Sequence, residues 1–266
     1  MAWSKGWRWA AAWMLATVGT GGADEPKTAA VAELPEVVVT ALRAETARAE
    51  VPGTVHVVDR ENLQTAAPRT TPDALRGLPS VMVQKTAYGQ GSPYLRGFTG
   101  FRTLMLVDGI RLNNSTFRDG PNQYWNTVDP WAIARYETVM GPASVLYGSD
   151  AVGGAVNALT LAPPAWAGQA TWERTLAARV ATADESLQTR AGVRGRATER
   201  LGFAAGATWK KFNDVRGGAD MGRQRHTGYE EADFDLRADY DFSAGATLTL
   251  ALQQVAQDDA WRTHST

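Results

Sequence analysis

The stretch EADFDLRADYDF, residues 231–242, alternates without a break. Phe234, Leu236, Ala238, Tyr240 and Phe242 fall on one face, Asp233, Asp235, Arg237, Asp239 and Asp241 on the other. Side chains of an extended chain point alternately to its two sides, so this period of two is a strand signal. A face so charged cannot sit in a dry core and is expected to meet water. Four further segments have similar length: QATWERTLAARVA (169–181), SLQTRAGVRGRA (186–197), RLGFAAGATWKKF (200–212) and ATLTLALQQVAQ (246–257). In the third of these, Phe203, Ala205, Ala207 and Trp209 share one face. Two architectures fit. In a soluble sandwich the apolar faces form the core, whereas in a transmembrane barrel they meet lipid and the charged faces line a wet lumen. Length separates them, since spanning strands need about 9–11 residues while soluble strands average about 5–6.

Upstream of APPAWAG (162–168) the texture differs, with short strands and short helices joined by Gly and Pro. GTVHVVDR (53–60) alternates like a strand, and VMVQ (81–84) reads as another. In TTPDALRGLPS (70–80), Thr71 can cap a helix, Pro72 fits its first position and Gly77 ends it. RTLMLVDGIRLN (102–113) places apolar runs on either side of Asp108-Gly109, a pair suited to a tight hairpin turn. DPWAIARYETVM (129–140) reads as a capped helix running into a strand, with Asp129 as the cap, and in GPASVLYG (141–148) Pro142 opens one or two turns that Gly148 closes.

The chain begins MAWSKGWRWAAAWMLATVGTGGADEP. Lys5 and Arg8 precede an apolar run from Trp9 to Val18, and Gly21 and Ala23 sit where a cleavage site expects small residues. The pattern is that of an export signal, and the run is shorter than the roughly 20 apolar residues of a spanning helix. Residues 24–50 lack a sustained period apart from LPEVVVTALR (34–43), whose Val37, Val38, Val39 and Thr40 favour an extended backbone; a mobile segment is expected there.

Composition excludes several functions. The 266 residues carry a formal charge of −1, with Arg spread along the chain, so a nucleic-acid surface is not expected. There is no cysteine, which removes disulfides, thiolate metal sites and thiol nucleophiles. His56, His226 and His264 lack metal-ligand spacing, and no nucleophile elbow, phosphate loop or dinucleotide fingerprint is present. An enzyme reading has no active residues to name, and neither a cofactor nor a metal is expected.

YLRGFTGFRTLMLVDGIRLN (94–113) and YETVMGPASVLYGSDAVGGAVNALT (136–160) resemble the plug domain of the TonB-dependent outer-membrane receptors. The matching elements are Leu95-Arg96-Gly97, Leu106-Val107-Asp108-Gly109, Gly141-Pro142, Leu146-Tyr147-Gly148 and Gly153-Gly154 before Val156-Asn157; DALRGLPSVMVQ (73–84) resembles the helix and strand upstream. The resemblance implies an α+β plug domain, a small mixed sheet with short helices, followed by the first antiparallel strands of a transmembrane β-barrel. The implied division is 1–23 signal peptide, 24–50 mobile segment, 51–162 plug and 163–266 barrel strands. Plugged barrels run to about 22 strands, and the residues after Gly168 make room for about five. An incomplete barrel is therefore expected, as a fragment or from a truncated gene, unstable alone in water.

The resemblance also implies roles. Glu36, Val37, Val38, Val39, Thr40 and Ala41 take the place of the TonB box, an unpaired strand that the TonB energy-coupling protein of the inner membrane would grip by strand addition, with a plain N-terminal strand of the plug as the alternative. Arg96 and Glu137 are candidates for contacts between plug and barrel, with a salt link inside the plug as the alternative. Three positions depart from the pattern: Met140 replaces an Arg before Gly141-Pro142, Ala134 replaces the second upstream acid, and Ser80 stands where Gly is common. Asn113, Asn114, Arg118, Gln123, Tyr124, Trp125 and Trp131 lie on loops expected to face ligand; packing of the plug is the alternative for each. The implied function is active uptake of a scarce nutrient across the outer membrane, with lipid around the barrel and a ferric siderophore, haem or a cobalamin as substrate. A passive plugged barrel or adhesin, and a secreted β-rich enzyme, are the readings from other classes.

Overall fold

The computed structural model describes residues 38–39, 46–47, 50–51, 53–113, 119–121, 124–218, 220–243 and 246–261. The export-signal segment lies outside them. At the N-terminal side, β1 (Val38–Val39) pairs antiparallel with β2 (Thr46–Ala47), in the register Val38↔Ala47 and Val39↔Thr46. Val38 and Val39 are thus paired within the chain, where an unpaired strand was expected.

The plug is built on a five-stranded mixed sheet. Its members are β3 (Thr54–Val58), β6 (Thr103–Val107), β7 (Ile110–Arg111), β8 (Ile133–Met140) and β9 (Gly154–Thr160), in the order β3-β8-β9-β6-β7. Only the β6–β9 pair is parallel. Alternation along β6 sends Met105 to a core with Leu75, Leu95, Trp125, Ile133, Tyr136 and Val156, and Leu104 and Leu106 to a second core with Ala143, Tyr147 and Ala155. A sheet covered on both faces needs such an apolar run. The covering elements are α1 (Arg60–Ala66), α2 (Thr71–Leu75), α3 (Ser144–Tyr147) and the hairpin of β4 (Val81–Ala87) with β5 (Gln90–Leu95). The cap of α2 is Thr70, one residue before the expected Thr71; its hydroxyl donates to Asp73, while Thr71 is buried and bonds Tyr136.

The motif residues meet for steric and hydrogen-bonding reasons. Asp108 (φ 48°) and Gly109 (φ 79°) form the two-residue turn that a right-twisted hairpin requires. The Asp108 carboxylate accepts from the Thr160 N–H at 2.9 Å and hydroxyl at 2.6 Å, and the Gly109 N–H donates to Asn157 at 2.9 Å. The turn is thereby tied to the end of β9, 52 residues on. Ser80, in the place of a glycine, holds φ 60°, a left-handed conformation that costs any residue with a Cβ about 1 kcal/mol.

Five long strands follow: β10 (Thr171–Ala181), β11 (Ser186–Arg196), β12 (Leu201–Phe212), β13 (Tyr229–Ser243) and β14 (Ala246–Asp258). They pair antiparallel in chain order as an open, unclosed sheet, each with 11 to 15 residues. The sheet is inside out for a soluble protein. Leu176 is 87% exposed, Val180 73% and Leu250 65%, while Gln188, Arg190, Lys210, Glu231 and Asp233 are buried against the plug. This polarity belongs to an incomplete barrel wall and not to a sandwich. The charged face of β13 does not simply meet water, as its sequence suggested: Asp233 and Asp239 are each 5% exposed, and the plug and neighbouring strands supply their counter-charges.

Gly153 and Gly154 have no room for a side chain. A Cβ on Gly153 would stand 2.6 Å from the Leu95 carbonyl oxygen and from Phe98 Cβ; one on Gly154 would stand 2.5 Å from the Val139 oxygen. Gly153→Ala and Gly154→Ala are each expected to destabilise the plug by about 1–3 kcal/mol, the usual cost of overpacking. Chemical denaturation of the full-length protein, followed through the plug, checks this; unchanged midpoints would contradict the packing.

Candidate functional site at the plug and its wall

The inner face of the wall meets the plug around one buried ammonium. Lys210 on β12 lies opposite Glu231 in the ladder, and its Nζ stands 2.5 Å from Glu231 Oε1, 2.7 Å from Asp129 Oδ1 and 2.9 Å from Asp233 Oδ2. The Asp233 contact is close enough for ion pairing but poorly angled for a hydrogen bond. Beside it, Arg190 grips Asp235 with two bonds of 2.7 and 3.0 Å and reaches Asp129 Oδ2 at 3.4 Å. The Thr208 hydroxyl donates to the same Asp129 oxygen at 2.6 Å. Asp129 comes from the plug, where its Oδ1 also accepts the Trp131 N–H at 3.1 Å, so the expected cap is at the same time the plug's anchor on the wall. The Asp129, Glu231 and Asp233 carboxylates converge within 4.8 Å, a set that could hold a metal ion; the Lys210 ammonium stands among them instead.

Burial opposes charge on Asp129, yet the Lys210 ammonium, its hydrogen bonds and Arg190 outweigh it and hold this carboxyl below its ordinary range. A second link joins Asp108 to Arg237 of β13 at 3.4 Å, and Arg237 also pairs with Asp239 at 3.0 Å.

One end of the wall carries the long 213–228 connection. Here the β10–β11 turn is tied in, with the Asn213 N–H donating to the Asp184 carbonyl and Glu185 pairing with Arg216 and Arg223. The plug meets this end through Arg69, 2.8 Å from Asp184 and stacked 4.2 Å over the Tyr88 ring, and through Tyr88, whose hydroxyl donates to Asp184 at 2.8 Å. Burial, then that bond to a carboxylate, pushes the Tyr88 phenol above its ordinary range. The tip of the β4–β5 hairpin rests on Tyr229, since a Cβ on Gly89 would lie 2.9 Å from its ring. Alongside, Phe212, Arg223, Arg225, His226, Tyr229 and Trp261 line a cavity of about 650 Å³.

The residues expected to face ligand separate. Trp125 is 3% exposed in the main plug core, so its indole is packing and not a ligand surface. The Asn113 amide is used within the plug: its oxygen accepts from the Met105 N–H and its nitrogen donates to Thr103. Tyr124 is half-buried, and Trp131 is half-buried with its Nε1 donating to Gln188 of the wall at 3.1 Å. Asn114, Arg118 and Gln123 lie outside the described residues, as do Glu36, Val37, Thr40 and Ala41 of the valine segment. Glu137 is buried and pairs at 2.8 Å with Arg135 of its own strand, a salt link inside the plug. Arg96 is exposed at the turn before Gly97 and forms no ion pair among the described residues. Met140, in place of an Arg, packs into the main core. The wall contacts run instead through Asp129, Asp108, Arg69 and Tyr88.

A plug filling the charged face of an open, outward-apolar sheet is the architecture of a plugged outer-membrane barrel. Residues 47–155 match the family described as TonB-dependent Receptor Plug Domain. The chain is 34% identical over 127 residues to the vitamin B12 transporter BtuB of Vibrio vulnificus strain CMCP6, covering 47% of this chain and 20% of that protein. It is 38% identical over 129 residues to the iron-regulated outer membrane virulence protein of Vibrio cholerae strain O395, with the same coverage. Its fold matches the pyoverdine outer membrane receptor FpvA of Pseudomonas aeruginosa PAO1 with a TM-score of 0.66 at 18% identity, over 83% of this chain and 30% of that one. Residues 47–155 thus correspond to the plug domain of the TonB-dependent receptors, and the chain spans about a fifth of the length of the curated relatives it matches.

Lys210→Met would leave three buried carboxylates without their shared cation, at a cost of about 3–5 kcal/mol. Protease resistance of the plug in the full-length protein should fall accordingly, and Asp129→Asn alone should cost less because both wall cations keep a partner. Because the Asp129 carboxyl is held low in the folded protein, its contribution is complete above the unfolded carboxylate value of about 3.9 and is lost as pH falls through the lower folded value. Acid titration of plug release should therefore show an acid-side loss that Asp129→Asn reduces.

Proposed function

We propose that the full-length receptor imports a scarce nutrient actively, and that an energy-coupling protein of the TonB type grips the segment around Val38 and Val39. The observation that carries this reading is the two-residue β1–β2 ladder standing ahead of a plug held in its wall by ions. A two-residue pairing holds few hydrogen bonds, each worth about 1 kcal/mol net, so a partner strand offering a longer ladder displaces it readily. Pulling on this segment loads the plug, and the ionic contacts yield to water as the plug shifts, so no catalytic residue is needed. We assign residues 1–23 to the export signal, 24–50 to the coupling segment, 51–162 to the plug and 163–266 to the wall.

The substrate we favour is an iron chelate or haem, with a cobalamin as rival. Support comes from relatives named as an iron-regulated virulence protein and a vitamin B12 transporter, and from a structural neighbour bound to pyoverdine. The cavity beside the 213–228 connection, with its arginines and aromatic rings, offers faces and cations suited to a flat anionic chelate. Long connections mark the outer side of such walls, so we place this cavity on the cell surface.

Val38→Pro removes a ladder donor and fixes φ. In the full-length receptor it should abolish uptake while nutrient binding at the cell surface stays near normal. Uptake unchanged by the substitution, or indifferent to collapse of the inner-membrane proton gradient, would leave a passive binder.

A further inference from the structure

Among the five wall strands, the seam with the plug is filled beneath β12 and β13 and leaves cavities beneath the edge strand β10. Beneath β12 and β13 it is filled by Lys210, Glu231, Asp233 and Asp235. Under β10 the inward side chains are small: Thr175, Ala177 and Ala181, with Arg179 among them. Three cavities of about 260, 390 and 340 Å³ follow one another there between α1 and the wall. The first and second share Ala67, Pro68 and Arg179; the second and third share Arg60, Gln64 and Thr175. The series extends along β10 from Ala181 to Thr175, about 20 Å at the rise of a strand.

The middle cavity has a guanidinium at each junction. Arg60 uses one nitrogen, Nη1, to donate to the Trp131 and Ile133 carbonyls at 2.8 and 2.7 Å; Arg179 uses Nη1 to donate to the Ala67 carbonyl. Neither is ion-paired to a carboxylate among the described residues, unlike Arg69, Arg190 and Arg194, so Nε and Nη2 of both remain unused. Burial, then the neighbouring Arg190, lowers the Arg60 pKa against the opposing pull of Asp129 and Asp235. Between the two cations lie the apolar surfaces of Leu63, Pro68, Pro130 and Trp131. A guanidinium with two free donors is built for a carboxylate, and the space around it is apolar.

We propose that this cavity is an inner binding site for a small carboxylate-bearing molecule, held by Arg60 and Arg179 against Trp131. It deepens the uptake reading, on which its role rests: an anionic nutrient leaving the outer cavity would pause here along the seam beneath β10. The wall side of the site is set by Ala177, whose inward methyl leaves the space unfilled.

The test uses the detergent-solubilised full-length receptor, titrated calorimetrically with benzoate and with the uncharged benzamide. Benzoate should bind saturably and at least tenfold more tightly than benzamide. The double variant Arg60→Gln, Arg179→Gln should weaken benzoate at least tenfold. Ala177→Leu, which fills the cavity without removing a hydrogen bond, should do the same and decides the matter if the double variant fails to fold. Both variants should bind nutrient at the cell surface as the unmodified receptor does but import it about tenfold more slowly. Absence of saturable benzoate binding, or binding unaffected by Ala177→Leu, would overturn the site; normal import with benzoate binding lost would overturn its role in passage. If the unmodified receptor imports nothing in an energy-dependent way, the uptake reading fails while the benzoate result still judges the cavity.

Discussion

The structure depends on how the acidic inner face of β13 is neutralised. Five carboxylates along one face of one strand would repel each other and demand water. Lys210 of β12, Arg190 and Arg196 of β11, Arg237 on the same strand and Asp129 and Asp108 from the plug turn that face into a set of ion pairs. Acids outnumber bases in this set, so the plug's carboxylate is held by wall cations that already carry wall acids. Buried pairs of this kind add little net stability over apolar contacts, but they fix register, since a displaced partner leaves a charge unpaired.

That choice of contact suits the plug movement proposed for import. An apolar seam would resist separation and collapse on itself afterwards, whereas an ionic one exchanges its partners for water when the plug shifts. The same wall keeps its apolar side chains on the opposite face, where lipid and not the plug receives them. The seam is also uneven along its circumference: long charged side chains close it under β12 and β13, and alanine and threonine leave it open under β10. In the proposed import, binding at the outer cavity, load on the valine segment and passage beneath β10 would be separated in space.

The wall strands were legible because a period of two over eleven or more residues has few other readings, and the Asp108-Gly109 turn because its two positive φ angles demand those residues. The Asp129 cap was legible as local chemistry. Its second duty was not, since the partner, Lys210, is 81 residues away and looks like half of an ordinary Lys-Lys pair. One signal was available: an acidic face on β13 requires cations on its neighbours, and alternation places Lys210 on the same face as Ala204 and Thr208. The loop residues were the least legible. Trp125, Asn113 and Trp131 lie in an aperiodic stretch, where composition suggests recognition but only the tertiary fold decides that one indole is buried, one amide binds backbone and one ring lines the α1–β10 cavity.

The claim that the sheet is inside out, with lipid on one face and the plug on the other, is tested most directly on β14. Nitroxide labels placed singly from Leu248 to Gln253 in the full-length receptor, reconstituted in bilayers, report access to oxygen and to a water-soluble nickel chelate. Oxygen access should peak at 248, 250 and 252 and fall at 249, 251 and 253, with nickel low at the peaks. High nickel access at Leu248, Leu250 and Leu252, or no alternation along the strand, would contradict it.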